Sequence, residues 1–358
     1  MTDDDRYADG EGLAARALPR RLVRVATTGR TGSVVRWLAR WGISIGSFVS
    51  GVFVLFVFRR ELPHVQWIVG YVVLLWLLVA IVTQVRQALE ARGRRFVVTA
   101  ADYTIQTLYH GLLLFLLPAY WASTTLASPN AVFVALLVAL TVLATFDPWY
   151  RALVHPRPWL GLVCFVVSIF GALNVALPLV GIRPDIGLLL AAWVSAVALA
   201  PVVRRALGWR WSRTLHAMAA AGIVFATAAW TLRAAIPPAP LSLGRAVIAR
   251  AVDHLAPVGP IDEAISEREL REAGALVAYT AVYAPAGLRQ PVAHVWRRNG
   301  DVVARVSLAP VRGGRREGFR TFSRMSSFPY DGVTGRWTVD VVTSSGQLIG
   351  RLRFRVTP

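Results

Sequence analysis

Polar side chains in the third apolar stretch of the chain are the ones best placed to do chemistry inside a membrane. Ionisable groups are costly in hydrocarbon, so where they occur they often mark a transport path or a reaction site. Together with a carboxylate at the end of the fourth stretch, they form a candidate polar cavity: His110, Tyr120, Ser123, Thr124 and Asp147. The alternative is structural, with hydroxyls satisfying carbonyls freed by Pro118 and with Asp147-Pro148 acting as a helix stop that carries a surface ion pair.

A second group of candidates lies near the C-terminus, where the residues alternate as in strands. His294 and Trp296 share one strand face, on which a tryptophan could stack against a sugar or pack in a core. Arg351, Arg353 and Arg355 share a face of the last strand, about 6 to 7 Å apart, and Arg320 precedes them. This row indicates either an anionic partner or a charged edge that prevents strand aggregation.

The sequence offers little for metal or nucleophilic catalysis. The lone cysteine, Cys164, cannot build a disulfide or a cysteine zinc site. His254 is the other histidine in the C-terminal half, and no pair of carboxylates accompanies His294. We therefore assign no catalytic residue, no metal ligand and no cofactor, and we expect that the protein is not an enzyme.

The composition shows which elements must position these side chains. Of 358 residues, 55% are hydrophobic and 16% charged, with a mean hydropathy of +0.51, which excludes a soluble enzyme and a disordered chain. Seven apolar runs are each long enough to cross hydrocarbon as a helix. They cover residues 42–58, 64–85, 107–126, 131–146, 159–180, 186–203 and 214–236.

Arginine placement orients this seven-helix bundle. If the N-terminus is inside, the cytoplasmic segments hold 18 arginines and the three outer loops hold 3, as expected for positively charged inner loops. The C-terminal part is then outside the membrane. The net charge of +19 comes from arginine, since the chain has no lysine. Most of the excess lies in segments at the inner membrane face, where anionic lipid attracts it, so we do not expect a nucleic acid partner.

The remaining segments divide by composition. Residues 1–41 are predicted to be a cytoplasmic basic tail, partly disordered, and residues 42–236 the bundle. Residues 237–274 begin with Pro-Pro-Ala-Pro and are predicted to be a linker in which short helices can form, with a capping box at Ser266 and Glu269. Residues 275–358 alternate with period two, and Asn299-Gly300 predicts a hairpin, so we expect a small β-sandwich.

The same residues carry a family resemblance. The C-terminal part resembles the bacterial domain of unknown function 2914 in the runs HVWRRNG (294–300), GFRTFS (318–323), GRWTVD (335–340) and GQLIG (346–350). The membrane half is similar to the companion domain of unknown function 5924 in LPAYWASTT (117–125) and DPWY (147–150). The resemblance implies a multi-pass inner-membrane protein of bacteria with an extracytoplasmic β domain, and it supplies no activity, cofactor or catalytic residue.

The sequence thus predicts an α+β membrane protein, a seven-helix bundle followed by an extracytoplasmic β-sandwich. Its first expected function is that of a non-enzymatic envelope scaffold or binding protein, whose periplasmic domain meets an envelope protein, an anionic lipid or a glycan. The alternative is a transporter or membrane-embedded enzyme that uses the polar cavity, although transporters commonly show paired broken helices or repeats that this sequence lacks. The oligomeric state stays open.

Overall fold

The computed structural model describes residues 65–328 and 332–358. Within them, a helical region is followed by a β-rich region, as the sequence predicts. The predicted basic tail and the first predicted span, residues 42–58, lie outside the described residues.

Eight α-helices form the described part of the helical region, and each of the six later predicted spans coincides with one of them or with an adjacent pair. They are α1 Val65–Ala91, α2 Arg95–Ala122, α3 Ala131–Thr145, α4 Asp147–Leu153, α5 Pro158–Leu179, α6 Pro184–Val197, α7 Ala200–Leu207 and α8 Trp211–Thr231.

Four helical segments in the described residues are long and apolar enough to cross a membrane. They are Ile68–Ala91, Pro158–Leu179, Pro184–Leu207 and Trp211–Thr231. A fifth results if α3 and α4, which are bent by 104° at Phe146, count as one broken span. Helix α2 overlaps the third predicted span but is not among them; the polar Gln106 and His110 lie near its middle.

The bundle core forms where α2, α3 and α5 meet. The Tyr120 and Phe133 rings lie 5.0 Å apart between centroids, and Phe133 and Phe170 lie 5.7 Å apart edge to face. Such tilted and edge-on aromatic pairs add to the free energy of apolar burial. This packing fixes the three helices that carry the candidate polar residues.

Eleven strands and one short helix form the described part of the β-rich region. They are β1 Ser242–Asp253, β2 Ala256–Ile261, β3 Ala264–Ser266, α9 Glu267–Ala273, β4 Leu276–Tyr283, β5 Arg289–Gln290, β6 Val292–Arg298, β7 Asp301–Ser307, β8 Val311–Arg312, β9 Phe319–Met325, β10 Gly335–Thr343 and β11 Leu348–Thr357. The sheets have the orders β2-β1-β4-β9, β3-β11-β10-β6-β7 and β5-β8.

Two local predictions are confirmed and one is corrected. Asn299 and Gly300 both have positive φ, as a type I′ turn requires, and they join β6 to β7. Ser266 and Glu269 form the predicted capping box of α9. Residues 242–266, however, form strands where a linker was predicted, because β1 is a central strand of its sheet and pairs with both β2 and β4.

Apolar side chains from the four-stranded and five-stranded sheets share one buried cluster. Trp296 and Trp337 are its largest fully buried members, and Trp337 stacks on Phe354 at 6.0 Å between centroids. The cluster therefore holds the strands that carry His294 and the arginine row.

Candidate functional site

Polar side chains in the middle of α2 support the break between α3 and α4. The Gln106 amide donates to the Ala144 carbonyl at 3.1 Å and to Asp147 Oδ1 at 2.7 Å. His110 Nδ1 lies 2.7 Å from the Thr145 hydroxyl. Because helix ends leave carbonyls without intrahelical partners, these contacts stabilise a bend inside the bundle. Gln106 was missed at the sequence level, although it lies four residues before His110 on the same helix face.

The other membrane candidates lie toward the opposite end of α2. The buried Tyr120 hydroxyl donates to the Gly171 carbonyl at 3.1 Å and accepts from the Asn174 amide at 3.0 Å. The Ser123 and Thr124 hydroxyls donate to carbonyls four residues earlier, at 2.9 and 2.6 Å. These are bonds to neighbouring backbone and side chains. The carbonyls that Ser123 and Thr124 bind, those of Ala119 and Tyr120, lie after Pro118 and are not freed by it.

The structure does not bring these five candidates together. His110 and Asp147 lie at the α3–α4 bend, whereas Ser123 lies 13 residues along α2 from His110. At 1.5 Å rise per residue this separation is about 20 Å. The predicted polar cavity is therefore two separate sets of paired side chains.

His294 lies between two sheets in a buried polar network. Its Nε2 lies 3.0 Å from the Thr280 hydroxyl of β4, and its Nδ1 lies 2.8 Å from the Ser323 hydroxyl of β9. The Trp296 indole donates to the same Ser323 oxygen at 3.0 Å. His294 and Trp296 are fully buried, so they do not lie on a surface where a sugar could stack. Their predicted binding role is therefore replaced by a role in the core.

Burial also determines the charge of His294. Desolvation lowers its pKa from 6.5 to about 4, because its hydroxyl partners do not compensate a positive charge. The imidazole is therefore neutral at pH 7.

The arginine row on β11 divides into one neutralised residue and two exposed ones. The Arg351 guanidinium binds both oxygens of the buried Asp340, which also accepts from Arg297 at 3.1 Å. Arg351 has a raised pKa, chiefly because Asp340 accepts its hydrogen bond. Arg353 and Arg355 are exposed on the same face. We did not predict the Asp340 pairing, because it depends on the register that places Asp340 opposite Arg351.

Arg320 lies apart from this row, on the edge strand β9 of the other sheet. It is exposed and binds the Glu317 carboxylate, which raises its pKa. The predicted C-terminal candidates thus lie in three places: His294 and Trp296 in the core, Arg351, Arg353 and Arg355 on the outward face of β11, and Arg320 on β9.

A junction between the helical and β-rich regions was not predicted at all. The turn between β10 and β11 lies against the end of α8: Arg233 Nε donates to the Ser345 carbonyl at 2.7 Å, and the Gln347 amide donates to the Ile236 carbonyl at 3.1 Å. The buried Asn130, in the loop before α3, donates to the Leu348 carbonyl at 3.2 Å. Arg351 also reaches the Ala127 carbonyl at 3.5 Å.

Within the described residues, no three histidine, cysteine or acidic side chains lie close enough to hold a metal ion.

Family models match both parts of the chain. The model described as a family of unknown function, DUF5924, matches residues 24–277, which is more than half of the chain. The model described as a protein of unknown function, DUF2914, matches residues 289–356. Both matches agree with the resemblance found in the sequence motifs, in the same order. None of the curated proteins matches the chain.

Proposed function

We propose that this chain, which belongs to the DUF5924 family and ends in a DUF2914 domain, is a non-enzymatic inner-membrane protein that presents a β-sandwich to an acidic partner. In this proposal seven helices cross the membrane: the four apolar segments, the bent α3–α4 pair, α2 and the stretch 42–58. The N-terminus is cytoplasmic and the β-sandwich is periplasmic, in keeping with the arginine bias of the loops.

The junction supports the presenting role. Four side chains, namely Asn130, Arg233, Gln347 and Arg351, make hydrogen bonds between the two regions. Because they contact both the α2–α3 loop and the end of α8, the β-rich region is held at more than one point. A domain fixed in this way has a defined orientation relative to the bundle, as a presenting role requires.

A like-charge pair on the outward sheet face carries the partner assignment. Arg336 of β10 lies directly opposite Arg355 of β11, and both are exposed. Arg353 lies two residues before Arg355 on the same face and is exposed as well. Like charges at directly opposed positions destabilise a sheet. An acidic protein surface would relieve this repulsion and form bidentate bonds with the guanidinium groups, so we call Arg336, Arg353 and Arg355 the arginine face.

The transporter or membrane-enzyme alternative receives less support. In the described bundle, Gln106, His110 and Tyr120 each bind a group on another helix, and Ser123 and Thr124 bind their own helix. Side chains engaged in this way favour helix packing over a substrate path.

Capture of a partner from native membranes tests the proposal. The tagged full chain is purified in mild detergent, and co-purifying proteins are quantified for the wild type and for Arg336→Ser/Arg353→Ser/Arg355→Ser. The matched control, Arg250→Ser/Arg268→Ser/Arg324→Ser, removes the same charge from exposed positions elsewhere. Since a hydrogen bond to a charged group contributes about 1.5–3 kcal/mol, we expect recovery of an acidic protein to fall at least about tenfold in the first variant only. Equal recovery from both variants, or loss of only a lipid or glycan, would contradict the proposal.

A further inference from the structure

Exposed arginines cluster at the end of the β-rich region that is nearest to the helices. They are Arg245, Arg289, Arg312, Arg315 and Arg320, and we call them the basic collar. These arginines lie in residues 242–245, 284–290 and 311–320. In these three segments Glu317 is the one acidic residue, and it pairs with Arg320. This end of the domain therefore carries a large excess of positive charge.

The opposite end of the domain carries acidic side chains as well as arginines. The β1–β2 turn, the β2–β3 connection and α9 carry six acidic side chains: Asp253, Asp262, Glu263, Glu267, Glu269 and Glu272. Arginines there form ion pairs, as between Arg250 and Glu269 and between Arg271 and Glu267. Arg336 and Arg355 of the arginine face also lie toward this end, since Arg355 pairs with Ala264 beside the β2–β3 connection. The arginines of this end are therefore accompanied by six acidic side chains, whereas Glu317 alone accompanies the collar.

Strand register and loop contacts place the collar beside the outer end of the bundle. Ser242, six residues after Ile236, pairs with Tyr283, and Val282 pairs with Phe319, so these strand ends lie together. The loop between β4 and β5 also approaches the α5–α6 connection: a Cβ built on Gly181 would lie 3.9 Å from the Gly287 carbonyl oxygen.

The loop between β8 and β9 is packed firmly onto that β4–β5 loop. Gly313 N donates to the Leu288 carbonyl and Gly314 N to the Ala284 carbonyl, both at 3.0 Å. A Cβ at position 313 would lie 1.6 Å from the Pro285 carbonyl oxygen, so only glycine permits this approach. The Arg315 guanidinium lies over the Phe319 ring at 5.3 Å. The collar arginines around this loop are therefore held on a fixed backbone.

We infer that the basic collar binds anionic phospholipid headgroups of the outer leaflet. This inference rests on the proposed function, which places the helices across the membrane and the β-sandwich on its outer side. The α5–α6 connection then lies at the membrane surface, and so does the β4–β5 loop that approaches it. Charges interact over roughly 8 Å at physiological salt, so collar arginines on and beside this loop act on headgroups there. Guanidinium groups bind phosphate with two parallel hydrogen bonds, and each arginine near an anionic surface strengthens binding about fivefold.

Hydrogen exchange of the full chain in nanodiscs tests the inference. We compare discs of phosphatidylcholine alone with discs that contain equal phosphatidylglycerol, at low salt. We expect amides of residues 284–290 and 312–320 to exchange at least about fivefold more slowly in the anionic discs. The variant Arg289→Ser/Arg312→Ser/Arg315→Ser should lose this difference, and Arg336→Ser/Arg353→Ser/Arg355→Ser, which removes the same charge from the arginine face, should keep it.

The junction separates failure of the inference from failure of the proposed function. If amides of residues 344–348 are protected in both disc types and the collar amides exchange at equal rates in both, the inference of lipid binding is overturned and the proposed function is not. Fast exchange at residues 344–348 in both disc types would instead refute the fixed presentation of the β-sandwich. A lipid effect abolished by the arginine-face variant and kept by the collar variant would also overturn the inference.

Discussion

Acidification is expected to destabilise the β-rich region through His294. This side chain is fully buried, and its pKa is lowered from 6.5 to about 4. Between these values the unfolded state binds more protons than the folded state, so stability is present above pH 6.5 and is lost as the pH falls toward 4. The loss between pH 7 and pH 5 is about 2 kcal/mol, or about a 20-fold rise in the opening equilibrium.

The assay is amide exchange of the full chain in detergent at both pH values, corrected for the intrinsic pH dependence of exchange. Strands β4, β6 and β9 are the ones to observe, because Thr280, His294 and Ser323 join them. The variant His294→Gln keeps an amide that can bond to both hydroxyls but cannot gain a proton in this range. The matched control is His254→Gln, whose side chain is 96% exposed.

We expect the pH-dependent loss in the wild type and in His254→Gln, and its absence in His294→Gln. If His294→Gln shows the same loss as the wild type, other groups cause the acid sensitivity and the reasoning about His294 is wrong. If His294→Gln has a lower stability that is the same at both pH values, the cause is altered packing. Comparing each variant with itself at the two pH values removes this contribution.

Two further predictions concern the ion pairs of Asp340 and the topology. Asp340→Asn should destabilise the β10–β11 pair by about 2–3 kcal/mol, less than the loss of a fully buried ion pair, because Arg297 and Arg351 retain water contact. Amide exchange of these strands measures the change, with the exposed Asp301→Asn as the control. Equal stability of the two variants would contradict the prediction. In a Cys164→Ser background, Ser307→Cys should react with a membrane-impermeant thiol reagent in spheroplasts, and reaction only after lysis would refute the periplasmic placement.

Periodicity in the sequence predicted most elements but failed at β1. In that segment Leu243, Val247 and Val252 are spaced by four and five residues, which imitates one face of a helix. The strand is nevertheless stable, because it is hydrogen-bonded on both sides and the bulge between Leu243 and Arg245 shifts its alternation. Neither the partners nor the bulge can be read from the segment itself.

The candidate sites show a similar limit. Alternation placed Arg351, Arg353 and Arg355 on one face correctly, as their burial pattern agrees. It could not show that Asp340 lies opposite Arg351, since that register depends on the turn and on the bulge between Val341 and Val342. Contacts such as Asn130 with Leu348, which are 218 residues apart, depend on the docking of two regions and leave no local pattern.

Helix α2 connects the α3–α4 bend with the junction between the helical and β-rich regions. Toward its middle, Gln106 holds the carbonyl end of α3 at the bend. At its end, the Ser123 carbonyl accepts from Asn130, whose amide also holds β11 through Leu348. A tilt of α2 against α3 would therefore break hydrogen bonds at the bend and at the junction together. A helix tied to its neighbours at its middle and at its C-terminal end agrees with the proposed presenting role, whereas alternating access requires the packed helices to separate.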